Sequence, residues 1–384
     1  LAQLARVIEE VERGRAVEGQ LVLLVAAGPG VLVHLRWRRE IRIVDGDEHV
    51  RELGQVVGVR LGCAEDVDEH ADRQHLADVV NPVELALGDG RVRFKSEHLQ
   101  RSGSYKVRGM LNRVARLVEF FGIEDVKRRG IITFSAGNAA AAYAWAGRAY
   151  GIPVEVVMPA KAVPAKIAAC KAYGATVHLV EGHMGTAGEL KNKLVAERGL
   201  IDAHPFDDPF VIAGHGSMGI EILEQIPEAD VVIGGLGGGG MLCGASVALR
   251  ALKPEIRLYG VEPDGSSAVK QAVDSGGVVP VTPVTVADGL GAPYAGSWTL
   301  PLASSLLDGL ITLPDEEILG GLRFAMERLK QVVEPAGAAA LAALLFGRIP
   351  VIPGDRVVVI LSGGNVDLTR IPEFLERAAP VPGA

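Results

Sequence analysis

The chain has 384 residues, 48% of them hydrophobic, with a formal net charge of −8 and a pI near 5.7. That length supports two packed domains or one large one, and the acidic balance argues against nucleic acid or an anionic membrane surface as a partner. No stretch reaches the roughly 18–20 uninterrupted apolar residues of a membrane span.

The first residues carry charges throughout their apolar stretch, unlike a secretory signal. Residues 1–90 contain no Lys, Ser, Thr, Met, Phe or Tyr, while Val, Leu, Arg, Gly, Glu and Asp crowd in. Such an alphabet arises when GC-rich DNA is read in a non-coding frame or from an incorrect start. Residues 1–90 are therefore expected to be an atypical, non-native segment, the alternative being a biased but real N-terminal region. His70 and His75 within AEDVDEHADRQH match no usual metal-ligand spacing and read as a solvated helix face. Cys63, Cys170 and Cys243 are odd in number and widely spaced, which fits free thiols in a reducing cytoplasm.

From about residue 92 the pattern changes. Apolar runs alternate with helical segments: VRF, GIITFSA, VEVVMP, TVHLV, DVVIGG, RLYGVEP and VVVILSGGN, with helices expected over 138–150, 164–173, 217–226 and 241–252. Continuous apolar strands between helices predict parallel strands buried on both faces. The fold class is α/β, with two doubly wound domains of mostly parallel sheets. Functional residues are expected in loops after strands, at helix N-termini.

Four such loops stand out. SGSYKVRG (102–109) sets Lys106 among small residues, which suits either a solvated lysine or an amine that must meet a carbonyl. SAGN (135–138) precedes an Ala-rich helix, where Ser135 and Asn138 serve equally well as caps or as donors to a small carboxylate. In DVVIGGLGGGGMLCGASVALRAL (230–252) a strand runs into Gly237, Gly238, Gly239 and Gly240 and a helix follows at once. Unshielded amides at the positive end of a helix make a phosphate cradle. The loop lacks both a P-loop ending and a usable G-x-G-x-x-G turn, although Glu262 about 20 residues on keeps a dinucleotide alternative open. LSGGN (361–365) repeats the strand, small-residue, turn pattern.

Taken with TVADGLGAPYAG (285–296) and VVEPAGAA (332–339), these motifs resemble, in order, the pyridoxal-phosphate enzymes of the tryptophan-synthase β-like fold. Within that group they are similar to the serine/threonine dehydratase and serine racemase family, over about residues 92–370. The resemblance implies that Lys106 carries pyridoxal 5'-phosphate as a Schiff base, with Tyr105 packed close to the cofactor ring where the family usually has Phe. It further implies that Gly237 to Gly240 and the Met241 backbone hold the phosphate, that Asn138 bonds the ring's 3′-oxygen, and that Ser362 faces the pyridine nitrogen. The substrate loop would comprise Ser135, Ala136, Gly137, Asn138 and Ala139. The implied organisation is a large cofactor domain (91–127 and 206–370), a small mobile domain (128–205), a C-terminal tail (371–384) without a regulatory domain, and a cytoplasmic homodimer acting on a small amino acid.

The departures from the pattern carry their own expectations. Ala136 replaces the Ser that racemases of the family use on the opposite face, which predicts dehydration of L-threonine or L-serine with little racemisation. Serine racemase, hydroxyaspartate ammonia-lyase, β-replacement enzymes and a non-catalytic amino-acid-binding paralogue are the alternatives. Ala139 replaces a usual His and His215 a common Gln, both expected beside the substrate loop. A divalent-cation site built on Glu262 and Ser266 would lack its last carboxylate at Ala268, so no tightly held metal is expected and Glu262 reads as structural. The family's strand before the lysine segment has no counterpart in ADVVNPVELALGDG.

Overall fold

The computed structural model describes residues 32–36, 40–44, 91–135, 137–182 and 184–383. In the unit formed by residues 1–60, β1 (Leu32–Arg36) and β2 (Glu40–Val44) pair antiparallel, Leu32 opposite Val44. Cys63, His70, His75, the ADVVNPVELALGDG segment and Ala136 lie outside the described residues.

The second unit holds two parallel sheets. The larger is ordered β10 (Gly309–Leu313), β9 (Arg257–Pro263), β8 (Val231–Gly235), β11 (Arg356–Ile360), β3 (Arg91–Lys95). The smaller is ordered β6 (Thr176–Val180), β5 (Val154–Pro159), β4 (Ile131–Phe134), β7 (Ile201–Asp202). Every residue of β5 and β8 is buried, as a parallel strand covered on both faces requires. Glu155 of β5 is tolerated there because Arg198 meets it at 2.6 Å and His178 at 2.7 Å.

Strand order reverses between β8 and β11 in the larger sheet and between β4 and β7 in the smaller. Chain leaving β8, β11 and β4 therefore opens into crevices at topological switch points, where α/β sheets bind ligands. The GGGGM, LSGGN and SAGN loops are those segments. Among the described residues no helix is long and apolar enough to cross a membrane. Residues 371–384 are more than a tail: helix Ile371–Arg377 buries Phe374 in the core.

Helices Asn138–Tyr150, Pro164–Ala172 and Gly240–Leu252 form close to where the pattern puts them. The helix expected over 217–226 instead runs Pro209–Gln225. Asp208 caps it, accepting from the amides of Phe210 (2.8 Å) and Val211 (3.1 Å), with Pro209 in the first turn. Its glycines hide that start from a propensity reading, but contact demands them. A Cβ on Gly214 would lie 2.6 Å from the carbonyl oxygen of Arg108, on the neighbouring helix Lys106–Phe121. Two edge strands also escape the pattern: β7 has two residues, and most of β10 is only half-buried.

Beneath the lysine loop lies a charge network in which Lys95, Glu97 and Arg108 are buried and Glu221 is half-buried. The Arg108 guanidinium donates to both oxygens of Glu97 (2.7 and 2.8 Å), both oxygens of Glu221 (2.6 Å each) and Ser217 Oγ (3.0 Å). Lys95 of β3 reaches Glu221 at 2.6 Å. Burial opposes the charge on Glu221, but Arg108 and Lys95 together hold its carboxyl down at about 2. The network ties β3, helix Lys106–Phe121 and helix Pro209–Gln225 into one block. Arg108→Ala strands Glu97 without its partner, so urea titration should show a loss of about 3–5 kcal/mol of stability.

Candidate active site

The lysine loop is held by backbone pairing to the LSGGN loop. Tyr105 N donates to the Ser362 carbonyl (3.1 Å), Gly364 N donates to the Gly103 carbonyl (2.9 Å), and Ser104 bridges Gly363. Ser102 and Gly103 take left-handed φ values of 61° and 71° to make the turn, and Asn365 Nδ2 secures it by donating to the Ser102 carbonyl at 2.7 Å. The chain then enters its helix with Lys106 as the first residue.

Lys106 projects into a cavity of about 180 Å³. Its Nζ donates to the Pro205 carbonyl at 2.9 Å and stands 5.2 Å from the Tyr105 ring centroid. Burial lowers the amine to about 8, despite that carbonyl, because the charged form is poorly solvated. Burial, helped by Glu334, raises the Tyr105 hydroxyl above its ordinary range. His215 does not line the cavity beside the substrate loop as expected. It packs edge-on behind the Tyr105 ring at 5.0 Å, because its helix lies under the lysine helix.

The glycine loop is shaped for a bound group. Gly239, with φ 92°, precedes helix Gly240–Leu252. A Cβ on Gly238 would enter the Phe206 ring, and one on Gly240 would lie 2.8 Å from the Phe206 carbonyl oxygen. Thr299 Oγ1 donates to the Gly238 carbonyl at 2.6 Å. Glycines without side chains thus line the cavity at the positive end of a 13-residue helix, which fits a phosphate.

On the opposite wall Ser135 Oγ accepts from Gly137 N at 3.2 Å, and Asn138 is gripped from both ends. Its Oδ1 accepts from Asn365 Nδ2 at 2.8 Å and its Nδ2 donates to Glu334 Oε1. Glu334 also faces Lys166 Nζ at 3.4 Å, and Lys166 bonds Asp288 at 2.6 Å. Burial raises the Glu334 carboxyl, an effect Lys166 partly offsets. Burial alone would lower Lys166, but Glu334 and Asp288 outweigh it and keep the amine protonated. Ser362 Oγ donates to the Ala336 carbonyl at 3.5 Å.

Lys106, Tyr105, Ser135, Gly137, Asn138, Ala139, Gly237 to Gly240, Met241 and Ser362 thus line one cavity, drawn from four loops far apart in the chain. Sequence reasoning missed Lys166, Asp288, Glu334, Phe206 and Tyr294 on the same walls. Asp288 and Glu334 sit in motifs already noted, whereas Lys166 lies in an ordinary amphipathic helix and carries no local signal. Glu262 is structural: its two oxygens accept the amides of Val269 (2.9 Å) and Lys270 (2.8 Å), capping helix Ala268–Ser275.

A lysine beside an aromatic ring, a glycine cradle at a helix start and a fixed asparagine opposite fit pyridoxal phosphate, on a tryptophan-synthase β-like fold. Residues 80–363 match the family model described as pyridoxal-phosphate dependent enzyme, and the chain belongs to that family. It is 37% identical over 287 residues to the L-threo-3-hydroxyaspartate ammonia-lyase of a Pseudomonas species, covering 74% of this chain and 88% of that one. It is 34% identical over 321 residues to the L-threonine ammonia-lyase of Thermotoga maritima, covering 82% and 78%. The structure of maize serine racemase superposes with a TM-score of 0.71 at 32% identity, covering 77% of this chain and 89% of that one. The protein is a pyridoxal-phosphate-dependent ammonia-lyase or racemase.

Two measurements probe the cradle and the lysine. Gly238→Ala should weaken cofactor binding roughly ten- to hundredfold in a spectroscopic titration, the worth of one charge-assisted hydrogen bond at about 1.5–3 kcal/mol. Only the neutral amine is nucleophilic, and it is the form favoured above the pKa. The rate of cofactor uptake by cofactor-free protein should therefore rise through a midpoint near pH 8, where an ordinary lysine would still be rising beyond about pH 10.

Proposed function

We propose that the protein eliminates water from a neutral β-hydroxy amino acid, L-threonine or L-serine, yielding a 2-oxo acid and ammonia. The observation that carries this reading is the charge inventory of the cavity. Its lining cations are Lys106 and Lys166, and Lys166 is already held by both lining carboxylates, Asp288 and Glu334. A second substrate carboxylate would approach those acids with their cation committed. Like charges about 5 Å apart at an effective dielectric near 20 repel by roughly 3 kcal/mol. A neutral side chain meets no such penalty.

Bound in this cavity, pyridoxal phosphate supplies an electron sink for the substrate α-carbon. The work left to the chain follows from its geometry. Ser135 and the amides at the start of helix Asn138–Tyr150 receive the α-carboxylate. Asn138 spends one amide hydrogen on Glu334 and keeps the other to donate into the cavity. Ser362 would offer a neutral hydroxyl to the cofactor's ring nitrogen, a setting that would favour elimination over deeper carbanion stabilisation. Lys106 Nζ, held partly neutral by burial, accepts the α-proton. As the Cβ–O bond breaks, the oxygen takes up the proton that Lys106 removed and leaves as water, and the resulting enamine hydrolyses to the 2-oxo acid and ammonia. Segment 128–205 acts as the mobile part, with Lys166 reaching from it to Asp288 and Glu334 and shutting out water as it closes.

Ala136 supports the lyase reading over the racemase one, because it brings no proton-bearing side chain for the opposite face. The 37% identity to a hydroxyaspartate ammonia-lyase favours the second reading, an acidic substrate. Assays of 2-oxo acid and ammonia with added cofactor distinguish them. L-threonine or L-serine should exceed L-threo-3-hydroxyaspartate in kcat/KM by roughly a hundredfold, following the repulsion above. The reverse order would overturn the proposal, as would fast L-to-D conversion of serine. Lys106→Ala should lose both the turnover and the cofactor's visible band.

A further inference from the structure

The cavity has a further wall that the reaction as described does not use. Phe134, His204, Phe206 and Tyr294 form a chain of edge and tilted ring contacts, at centroid separations of 5.8, 4.7 and 5.8 Å. Phe134 immediately precedes Ser135 of the substrate loop, and Phe206 closes on Gly238 of the cradle. The wall therefore runs from the substrate end of the cavity to the phosphate end. Among its members that line the cavity, Tyr294 alone carries a polar group.

The hydrogen bonds of His204 decide what that group can do. Its Nδ1 accepts the amides of Asp207 (2.8 Å) and Phe206 (3.3 Å), and a nitrogen that accepts carries no proton. Burial lowers the ring's pKa against the pull of Asp207, Asp202 and Asp208, with Lys191 acting in the same sense as burial, so the ring is neutral. The one ring proton is then on Nε2, 3.4 Å from the Tyr294 hydroxyl. That N–H donates and the phenol oxygen accepts, which leaves the phenol hydrogen pointing elsewhere. Among the described residues it meets no second acceptor, and Tyr294 faces the cavity.

We propose that Tyr294 recognises the substrate's β-hydroxyl, donating a hydrogen bond to the leaving oxygen, and that His204 is the positioning residue that frees that hydrogen. The inference rests on the elimination reading above. The proposal places the α-carboxylate at Ser135, Gly137 and Asn138 and the amine toward Lys106, with the β-carbon facing this wall. Burial and Asp207 raise the phenol's pKa, so Tyr294 stays protonated and available as a hydrogen-bond donor.

Tyr294→Phe keeps the ring and removes the donor. The test compares L-serine with β-chloro-L-alanine, whose chloride leaves without needing a hydrogen bond to a hydroxyl. In the holoenzyme, Tyr294→Phe should lower kcat/KM for L-serine roughly five- to hundredfold. It should leave β-chloro-L-alanine within about twofold of the unaltered protein, which also verifies folding and cofactor loading. Equal losses on both substrates, or no loss on either, would overturn the role of Tyr294. If the unaltered protein turns over β-chloro-L-alanine but no hydroxy amino acid, the elimination reading fails first and the inference falls with it.

Discussion

Arg108 is the interaction on which the site depends. It lies two residues after Lys106, buried, with its guanidinium shared between Glu97 and Glu221. Breaking such a network exposes its members to the full cost of unpaired buried charge. That cost fixes the helix carrying Lys106 against β3 and helix Pro209–Gln225. From the other side the lysine loop is paired to residues 362–364, with Ser102 held in a left-handed turn by Asn365. A lysine between two such fixtures has little freedom left except in its side chain. That is the condition for a covalent cofactor attachment with reproducible geometry.

The same economy extends across the cavity. Asn365 bonds the lysine loop and Asn138 at once, and Glu334 bonds Asn138 and faces Lys166. The substrate loop, the lysine loop and the VVEPAGAA segment are thus parts of one polar network. Because Glu334 and Lys166 are buried and the two asparagines half-buried, a partner removed from one loop is felt in the others. Lys166 stands on helix Pro164–Ala172, which follows β5 of the smaller sheet, whereas Asp288 and Glu334 belong to segments packed on the larger one. An ion pair across that division links the fit of the substrate loop to the approach of the two sheets.

The chemistry of the walls sorts ligands differently at each position. The glycine cradle suits an anion, because backbone amides carry no pKa and cannot be neutralised. The Lys166, Asp288 and Glu334 wall is charge-saturated and disfavours a further carboxylate. The aromatic wall offers apolar surface with a single hydroxyl, Tyr294, set by the tautomer of His204.

What the sequence determined by itself was local. Apolar runs long enough to be buried on both faces marked seven strands, and small residues after β4, β8 and β11 marked the loops because only they let backbone amides approach a ligand. The place of Lys106 on the same cavity was legible through the company of those loops. The start of helix Pro209–Gln225 was not, since Gly214 obeys the neighbouring Arg108 carbonyl and not helix propensity. Nor was the displacement of His215 behind Tyr105, or the meeting of Lys166 with Asp288 and Glu334. Residues 166, 288 and 334 share no element and no periodicity. Only the packing of one sheet's helices against the other's loops brings their charges within reach, and short-range electrostatics leaves no trace in a pattern read along the chain.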